Sequence, residues 1–328
     1  MIMPVAVIAL IWSAYSMIHI SNQMQRPEFS QTDASFVKAA NAVKSVTPGD
    51  AVIWTDWGFG YPLIYYSDRA TVADGSISSN MQYYITMVPV ATNNERLSAN
   101  WIRFYIGRGI KGFQKVFDLF GQDWGRSINV LKEILSTGPS DAAKILKNNI
   151  KTEDNSMEDL IEFFFPRSIP PTYLFLNTDM FRTNWYGIGN WDFEQKIPGE
   201  NILNIFTNLH KNGNMINGKS IRGYGDMEFD MDHGIMSFRK KQLNISSISY
   251  NSEGNISEFP YPWEMGLRLE VMPAAGFGVL MEKKTAESVF NRFFVRFDHD
   301  EQYFSLIINE SPNYQLWEVK GDSPETCK

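Results

Sequence analysis

The chain has 328 residues, 44% of them hydrophobic, with 30 basic against 37 acidic side chains and a formal net charge of −7. A chain of this length buries about three-quarters of its unfolded surface, so a protein without a packed core is excluded. The acidic balance argues against a nucleic-acid partner, and a single cysteine, Cys327, excludes an intrachain disulfide and a cysteine-built zinc cluster.

The mean hydropathy of −0.26 is that of a water-facing chain, yet the first 25 residues hold no Asp, Glu, Lys or Arg. Met1 to Ile20 would make about 30 Å of helix, roughly one hydrocarbon thickness. Nothing basic precedes this run, and Ser13-Ala14-Tyr15-Ser16 is a poor cleavage site, so a removed signal peptide fits badly. Trp12, Tyr15 and His19 lie toward its far end, where amphipathic rings favour the headgroup layer. Residues 1–20 therefore read as a membrane helix, with a buried soluble helix as the alternative, and residues 21–32, with Pro27, read as a linker.

Phe36, Val37, Ala40 and Val43 form one stripe, which predicts an amphipathic helix over 33–46 that Pro48-Gly49 stops. Ala51-Val52-Ile53-Trp54 reads as a short buried strand. Residues 79–165 are mainly helical patterns, with breaks expected near Gly107–Gly112, Gly121–Gly125 and Gly138-Pro139. After Pro166, Pro170 and Pro171, Thr172 to Leu176 reads as a strand. Thr178 is then placed to cap a helix running to about Tyr186. From 192 to 273, short alternating runs between Asn-Gly, Gly-Asp and Ser-Glu-Gly turns predict a β-rich insert. Over 274–328, a helix near Glu287–Arg296 and strands at Phe304–Ile308 and Gln315–Val319 complete the core.

Several patterns carry little chemistry. Gly58-x-Gly60, Gly187-x-Gly189 and Gly223-x-Gly225 lack the third glycine or the Lys-Ser/Thr of a phosphate loop. Asp226, Glu228, Asp230 and Asp232 alternate as on a solvated strand face, and Met231 stands where a calcium-binding EF-hand loop needs glycine. Asp298-His299-Asp300 reads as a hairpin turn. Asn244-Ile245-Ser246, Asn255-Ile256-Ser257 with Glu253 two residues before it, and Asn309-Glu310-Ser311 are glycosylation sequons of the kind that arise by chance.

One stretch stands apart: Trp54-Thr55-Asp56-Trp57-Gly58-Phe59-Gly60-Tyr61-Pro62, continuing to Tyr65-Tyr66-Ser67-Asp68 and Asp74-Gly75. A carboxylate accepts hydrogen bonds and an indole N–H donates one, so an Asp between two Trp can saturate a small hydroxyl that is both donor and acceptor. A site built around a hydroxyl rejects ligands that lack it, since its own polar groups are then left unpaired. Two plainer readings remain: Asp56 as the N-cap of a helix at an aromatic corner, or a stacking platform for sugar rings.

This run resembles the Trp-Trp-Asp-Tyr-Gly region of the catalytic subunit of oligosaccharyltransferases, the enzymes of asparagine-linked glycosylation, in their single-subunit bacterial and archaeal form. The resemblance implies that the region binds the Ser or Thr hydroxyl of an Asn-x-Ser/Thr acceptor. By position, Trp54 and Asp56 match the first Trp and the Asp. Trp57 stands for the Tyr and Gly58 matches the Gly. Thr55 replaces the second Trp, with a shorter hydroxyl donor in place of an indole. A nearby helix of the family carries Met-x-x-Ile or Asp-x-x-Lys against the same acceptor residue. Met180 to Thr183 matches the first with Thr183 for Ile, and Asp179 to Arg182 matches the second with Arg182 for Lys. The two alignments stay open.

The resemblance implies an α+β fold, with a mainly helical core around a short sheet carrying the motif, a β-rich insert, and an N-terminal segment that ends the last membrane span. It implies an extracytoplasmic acceptor-recognition domain of a glycosyltransferase, with acceptor polypeptide, lipid-linked oligosaccharide and membrane as partners and nucleic acid excluded. It places the catalytic carboxylates and the Mn or Mg of the full-length enzyme outside this chain, so no catalytic or metal-binding residue is expected here. A membrane-anchored carbohydrate- or peptide-binding module without catalysis is the alternative.

Overall fold

The structure is a computed structural model that describes residues 34–75, 79–150, 156–200, 203–221, 225–252, 255–264, 266–273 and 276–322. The expected membrane helix at 1–20, the linker at 21–32 and Cys327 lie outside the described residues. Among the described residues, no helix is long and apolar enough to cross a membrane.

Helix α1 (Ala34–Val46) buries Phe36, Ala39, Ala40 and Val43, the stripe a 3.6-residue period requires. It lies over the start of a five-stranded sheet. Strand β1 (Val52–Trp54) runs parallel to β2 (Ala70–Thr71) on one side and to β3 (Thr172–Asn177) on the other. Between β1 and β2 the chain makes a 3₁₀ turn (Trp57–Phe59) and helix α2 (Gly60–Ser67). Every residue of β3 is buried, the continuous apolar pattern of a strand covered on both faces.

Among the described residues, five helices separate β2 from β3: α3 (Asn80–Ala91), α4 (Glu95–Leu119), α5 (Trp124–Thr137), α6 (Pro139–Asn149) and α7 (Met157–Phe164). Ser79, Asn94, Asp123 and Ser156 cap four of them through their side-chain oxygens. The break expected at Gly107–Gly112 is instead a kink within α4 at Gly109, whose φ of 61° and ψ of −165° glycine alone adopts freely. The two halves stay together because Phe104 and Phe113, both fully buried, meet across the kink with ring centroids 5.3 Å apart.

The stretch after β3 departs from the single helix expected there. Asn177, not Thr178, is the cap, accepting the Met180 N–H at 3.2 Å. Its 3₁₀ helix (Thr178–Arg182) ends at Thr183, whose ψ of 164° is extended, and a separate short helix α8 (Trp185–Gly189) follows. Phe181 anchors the first turn, its ring 4.7 Å from Phe290 and 5.3 Å from Phe277.

Eight strands then form a second sheet: β4 (Leu203–Asn212), β5 (Met215–Ser220), β6 (Asp226–Asp230), β7 (Ile235–Phe238), β8 (Lys241–Ser252), β9 (Asn255–Pro260), β10 (Leu267–Met272) and β11 (Phe277–Met281). β10 pairs with β11 and, in parallel, with β8, which closes the sheet into a barrel. Phe206, Ile216, Phe229, Met236, Ile248 and Leu269 fill it. This sheet runs on to Met281, past the Pro273 boundary read from the sequence, because β11 pairs with both β10 and β4. Asp226, Glu228 and Asp230 do share the outer face of β6, with Met227 and Phe229 inside. Asp232 lies beyond the strand and takes Asn214 Nδ2 at 2.9 Å. Asn244 and Asn255 of the three sequons sit in β8 and β9, and Asn309 in the later strand Phe304–Glu310, while Glu253 lies outside the described residues.

The chain returns to the first sheet through a short helix (Val289–Asn291) and a π turn (Arg292–Arg296). Asp298-His299-Asp300 connects this turn to β12 (Phe304–Glu310) rather than forming a hairpin, with Asp298 taking Arg292 Nε at 2.8 Å. β13 (Tyr314–Val319) lies antiparallel between β12 and β3, giving the order β12-β13-β3-β1-β2. The fold class is thus α+β.

Candidate functional site

The arrangement of β1 and β3 decides where the two sequence motifs meet. They are adjacent and parallel, with Ile53 opposite Tyr173 and Trp54 opposite Leu174. The segments that follow them, Thr55–Gly58 and Thr178–Thr183, therefore emerge at the same edge. Parallel sheets place their ligands outside the carboxyl ends of adjacent strands.

Asp56 has φ −68° and ψ 148°, the extended conformation of an N-cap, and its Oδ1 accepts the Gly58 N–H at 3.0 Å. The capping role is real, and it uses one carboxylate oxygen. The other, Oδ2, faces two hydroxyls: Thr183 Oγ1 at 3.2 Å and Tyr83 Oη at 3.4 Å. Asp56 is 1% exposed, and no Arg or Lys pairs with it among the described residues. Burial is the main cause raising its pKa above the ordinary carboxylate value, opposed by the hydrogen bonds from Gly58, Thr183 and Tyr83. Burial and the adjacent Asp56 charge push the Tyr83 phenol up as well, so at neutral pH that hydroxyl keeps its proton and can donate.

The other motif residues divide between structure and surface. Trp54 is fully buried, and its indole N–H donates to the Thr86 carbonyl at 2.9 Å, so it fastens α3 to the end of β1. Thr55 is buried too, and its Oγ1 has no hydrogen-bond partner among the described residues. Trp57 is 46% exposed at the start of the 3₁₀ turn. With Tyr61, Ile64 and Tyr65 it makes an exposed apolar stripe beside the site. Gly60 explains part of the glycine spacing: a Cβ there would stand 1.8 Å from the Ala73 carbonyl oxygen, so only glycine lets the Asp74-Gly75 segment pack on α2. The turn is held from below by Phe59, which stacks on Phe36 of α1 at 5.9 Å.

On the second motif, Thr183 alone among the four candidates has a hydrogen bond to Asp56. Met180 is fully buried. Asp179 and Arg182 form an exposed ion pair with each other at 3.6 Å. Thr183 has a second acceptor, because its Oγ1 is also 2.9 Å from the Met180 carbonyl. Tyr83 is the site residue that the sequence does not single out. It stands beside Tyr84, which is buried in the core with its hydroxyl unpartnered among the described residues, and both occupy the first turns of α3. Nothing in their local pattern distinguishes them.

Among the described residues, no three His, Cys, Asp or Glu side chains gather into a set that could hold a metal ion. A separate open cleft of about 1050 Å³ lies between α5 and the loop after α8, lined in part by Asp123, Arg126, Asn129, Asn190, Trp191 and Asp192. None of the motif residues lines it.

Residues 49–177 match the family model described as the STT3/PglB/AglB core domain. The chain is 28% identical over 156 residues to the dolichyl-phosphooligosaccharide-protein glycotransferase of Methanococcus voltae, a match covering 46% of this chain and 17% of that protein. It is 30% identical over 96 residues to the undecaprenyl-diphosphooligosaccharide–protein glycotransferase of Campylobacter jejuni, covering 29% of this chain and 13% of that protein. The chain thus spans less than a fifth of either relative in these matches. Its fold is similar to the crystal structure of the C. jejuni PglB C-terminal domain, with a TM-score of 0.57 at 17% identity over 87% of this chain and 99% of that one. Residues 49–177 are thus similar to the STT3/PglB/AglB core domain, and the chain shares its fold with the C. jejuni PglB C-terminal domain.

Proposed function

We propose that this chain recognises the Asn-x-Ser/Thr acceptor for an oligosaccharyltransferase, with Asp56 as the group that reads the Ser or Thr hydroxyl. The observation that carries the reading is the 3.2 Å hydrogen bond between Asp56 and Thr183, which joins two motifs 127 residues apart. An oxygen that accepts one threonine hydroxyl can accept another. Its burial means that an acceptor lacking the hydroxyl leaves a desolvated carboxylate poorly paired, which is how such a site discriminates.

In this reading the whole enzyme moves an oligosaccharide from a lipid carrier to the Asn side-chain amide, on the extracytoplasmic face of a membrane. The names of the relatives support a lipid-linked donor and a protein acceptor. Trp57 and Gly58 form the rim of the acceptor site. Trp54 and Thr55 build it from behind, and Asp179, Met180 and Arg182 frame the turn that presents Thr183. The residues that activate the amide, and the Mn or Mg expected in the full-length enzyme, lie outside this chain.

The test is glycan transfer by a longer enzyme carrying this domain, comparing Asp56→Ala with the parent. The expected result is at least a tenfold loss, about the worth of one hydrogen bond to a charged group. Transfer that continues at the parent rate removes Asp56 from acceptor recognition.

A further inference from the structure

Asp56 Oδ2 is almost wholly screened from solvent, and the two side chains touching it, Thr183 and Tyr83, are each partly exposed. An incoming hydroxyl has to displace one of them. They differ in what they stand to lose. The Tyr83 hydroxyl has Asp56 as its one hydrogen-bond partner among the described contacts. The Thr183 hydroxyl has a second acceptor already in place, the Met180 carbonyl at 2.9 Å, closer than Asp56 at 3.2 Å. A threonine hydroxyl carries a single proton, so it serves one of these acceptors at a time.

We infer that Thr183 is a built-in competitor of the acceptor: its hydroxyl occupies the position on Asp56 that the acceptor Ser or Thr hydroxyl takes. The inference rests on the acceptor-recognition reading and adds a regulation of that same site. The two states are chemically matched. In the empty site, the Thr183 hydroxyl donates to Asp56 and keeps a buried carboxylate oxygen from losing a donor. In the loaded site, the acceptor hydroxyl donates to Asp56, and the Thr183 hydroxyl turns to the Met180 carbonyl. One hydrogen bond is exchanged for another, so the resting site carries no unpaired charge and opening costs little. The backbone need not move, since the Thr183 N–H is already bound to the Met180 carbonyl at 3.0 Å. Tyr83 stays on Oδ2 in both states and acts as a positioning residue.

This arrangement also gives the Thr at position 183 a consequence distinct from lost packing. In the alignment that sets Met180 to Thr183 against Met-x-x-Ile, an Ile stands there, with an apolar side chain and no competing hydroxyl. Thr183 exchanges that apolar side chain for self-occupancy, which weakens acceptor binding while protecting the empty site.

The experiment uses the full 328-residue chain and two labelled peptides that differ in one residue, Asn-Ala-Thr and Asn-Ala-Val, titrated by NMR. Thr183→Val removes the hydroxyl and keeps the shape; Thr183→Ser keeps the hydroxyl. Thr183→Val should tighten the Thr peptide by about fivefold, the difference between a hydrogen bond to a charged carboxylate and one to a neutral carbonyl, and leave the Val peptide unchanged. Thr183→Ser should behave as the parent does. The Val peptide reports any general damage to the fold, because misfolding weakens both peptides together. If the parent prefers Thr over Val but Thr183→Val binds the Thr peptide equally or more weakly, Thr183 is a contact and the competitor inference fails alone. If the parent shows no preference between the peptides, the recognition reading itself fails, and this inference with it.

Discussion

Asp56 at 1% and Glu270 at 0% exposure are both almost wholly removed from solvent, and their surroundings could hardly differ more. Glu270, on β10, faces the Val289–Arg296 segment, through Asn291 and Arg296. Its Oε1 takes Arg268 at 2.9 Å, Arg296 at 2.7 Å and Asn291 at 3.2 Å, while Oε2 has no partner among the described residues. Asp56 receives a backbone N–H and two hydroxyls, with no cation among the described residues. A buried charge held by two fixed guanidiniums is neutralised in place. One held by hydroxyls can exchange a hydroxyl. The same burial thus makes a clasp at Glu270 and a reading head at Asp56.

The largest effect that tests this contrast is expected at Glu270. Removing one partner of a buried ion network leaves its counterions uncompensated, which costs about 3 to 5 kcal/mol. Glu270→Ala should lose about 3 kcal/mol, the low end of that range, because Glu258 and Glu287 still face Arg268 at 2.5 and 3.3 Å. Denaturant unfolding measures it, and a loss under 1 kcal/mol would mean that β10 is not held to the Val289–Arg296 segment by this network.

Asp56→Asn should act in the opposite direction. The folded-state pKa of Asp56 is raised, chiefly by burial, so ionising it opposes folding. That penalty is absent below the ordinary aspartate range and present in full above the raised folded value. Asn keeps the cap through its carbonyl and carries no charge. The variant should therefore melt higher than the parent at neutral pH, with the difference shrinking as the pH falls toward the ordinary aspartate range. A variant less stable than the parent at neutral pH would make Asp56 a structural carboxylate like Glu270.

The smallest of these effects belongs to Tyr83→Phe, which deletes one long hydrogen bond at 3.4 Å and is worth about 0.5 to 1 kcal/mol. The loss of a donor should raise the Asp56 pKa further, as followed by carboxyl-carbon NMR, and should weaken a Thr-containing acceptor a few-fold. An unmoved Asp56 titration would exclude Tyr83 from the site.

What the sequence made legible follows from how local each signal is. Asp56 was visible because a carboxylate between two Trp at the end of a buried strand is chemically conspicuous, and the stripe of Phe36, Ala40 and Val43 because a helix period repeats. The expectation that Trp54 reads a hydroxyl drew on indole chemistry, whereas its N–H is bound to Thr86, a partner 32 residues away that no local pattern reveals. Tyr83 was missed for the same reason, since its proximity to Asp56 depends on how α3 lies over β1. The kink at Gly109 and the barrel closure through β8 and β10 are likewise products of tertiary pairing. Thr183 was legible only as a departure from a family pattern. Its hydrogen bond to Asp56 gives that departure a physical meaning.

The measurement that bears most directly on Asp56 as the hydroxyl reader is the ratio of affinities for Asn-Ala-Thr and Asn-Ala-Val peptides, in the parent chain and in Asp56→Ala. The account predicts a clear preference for Thr in the parent, collapsing to a ratio near one in the variant with the Val peptide unaffected. A Thr preference that survives the loss of the Asp56 carboxylate would contradict it.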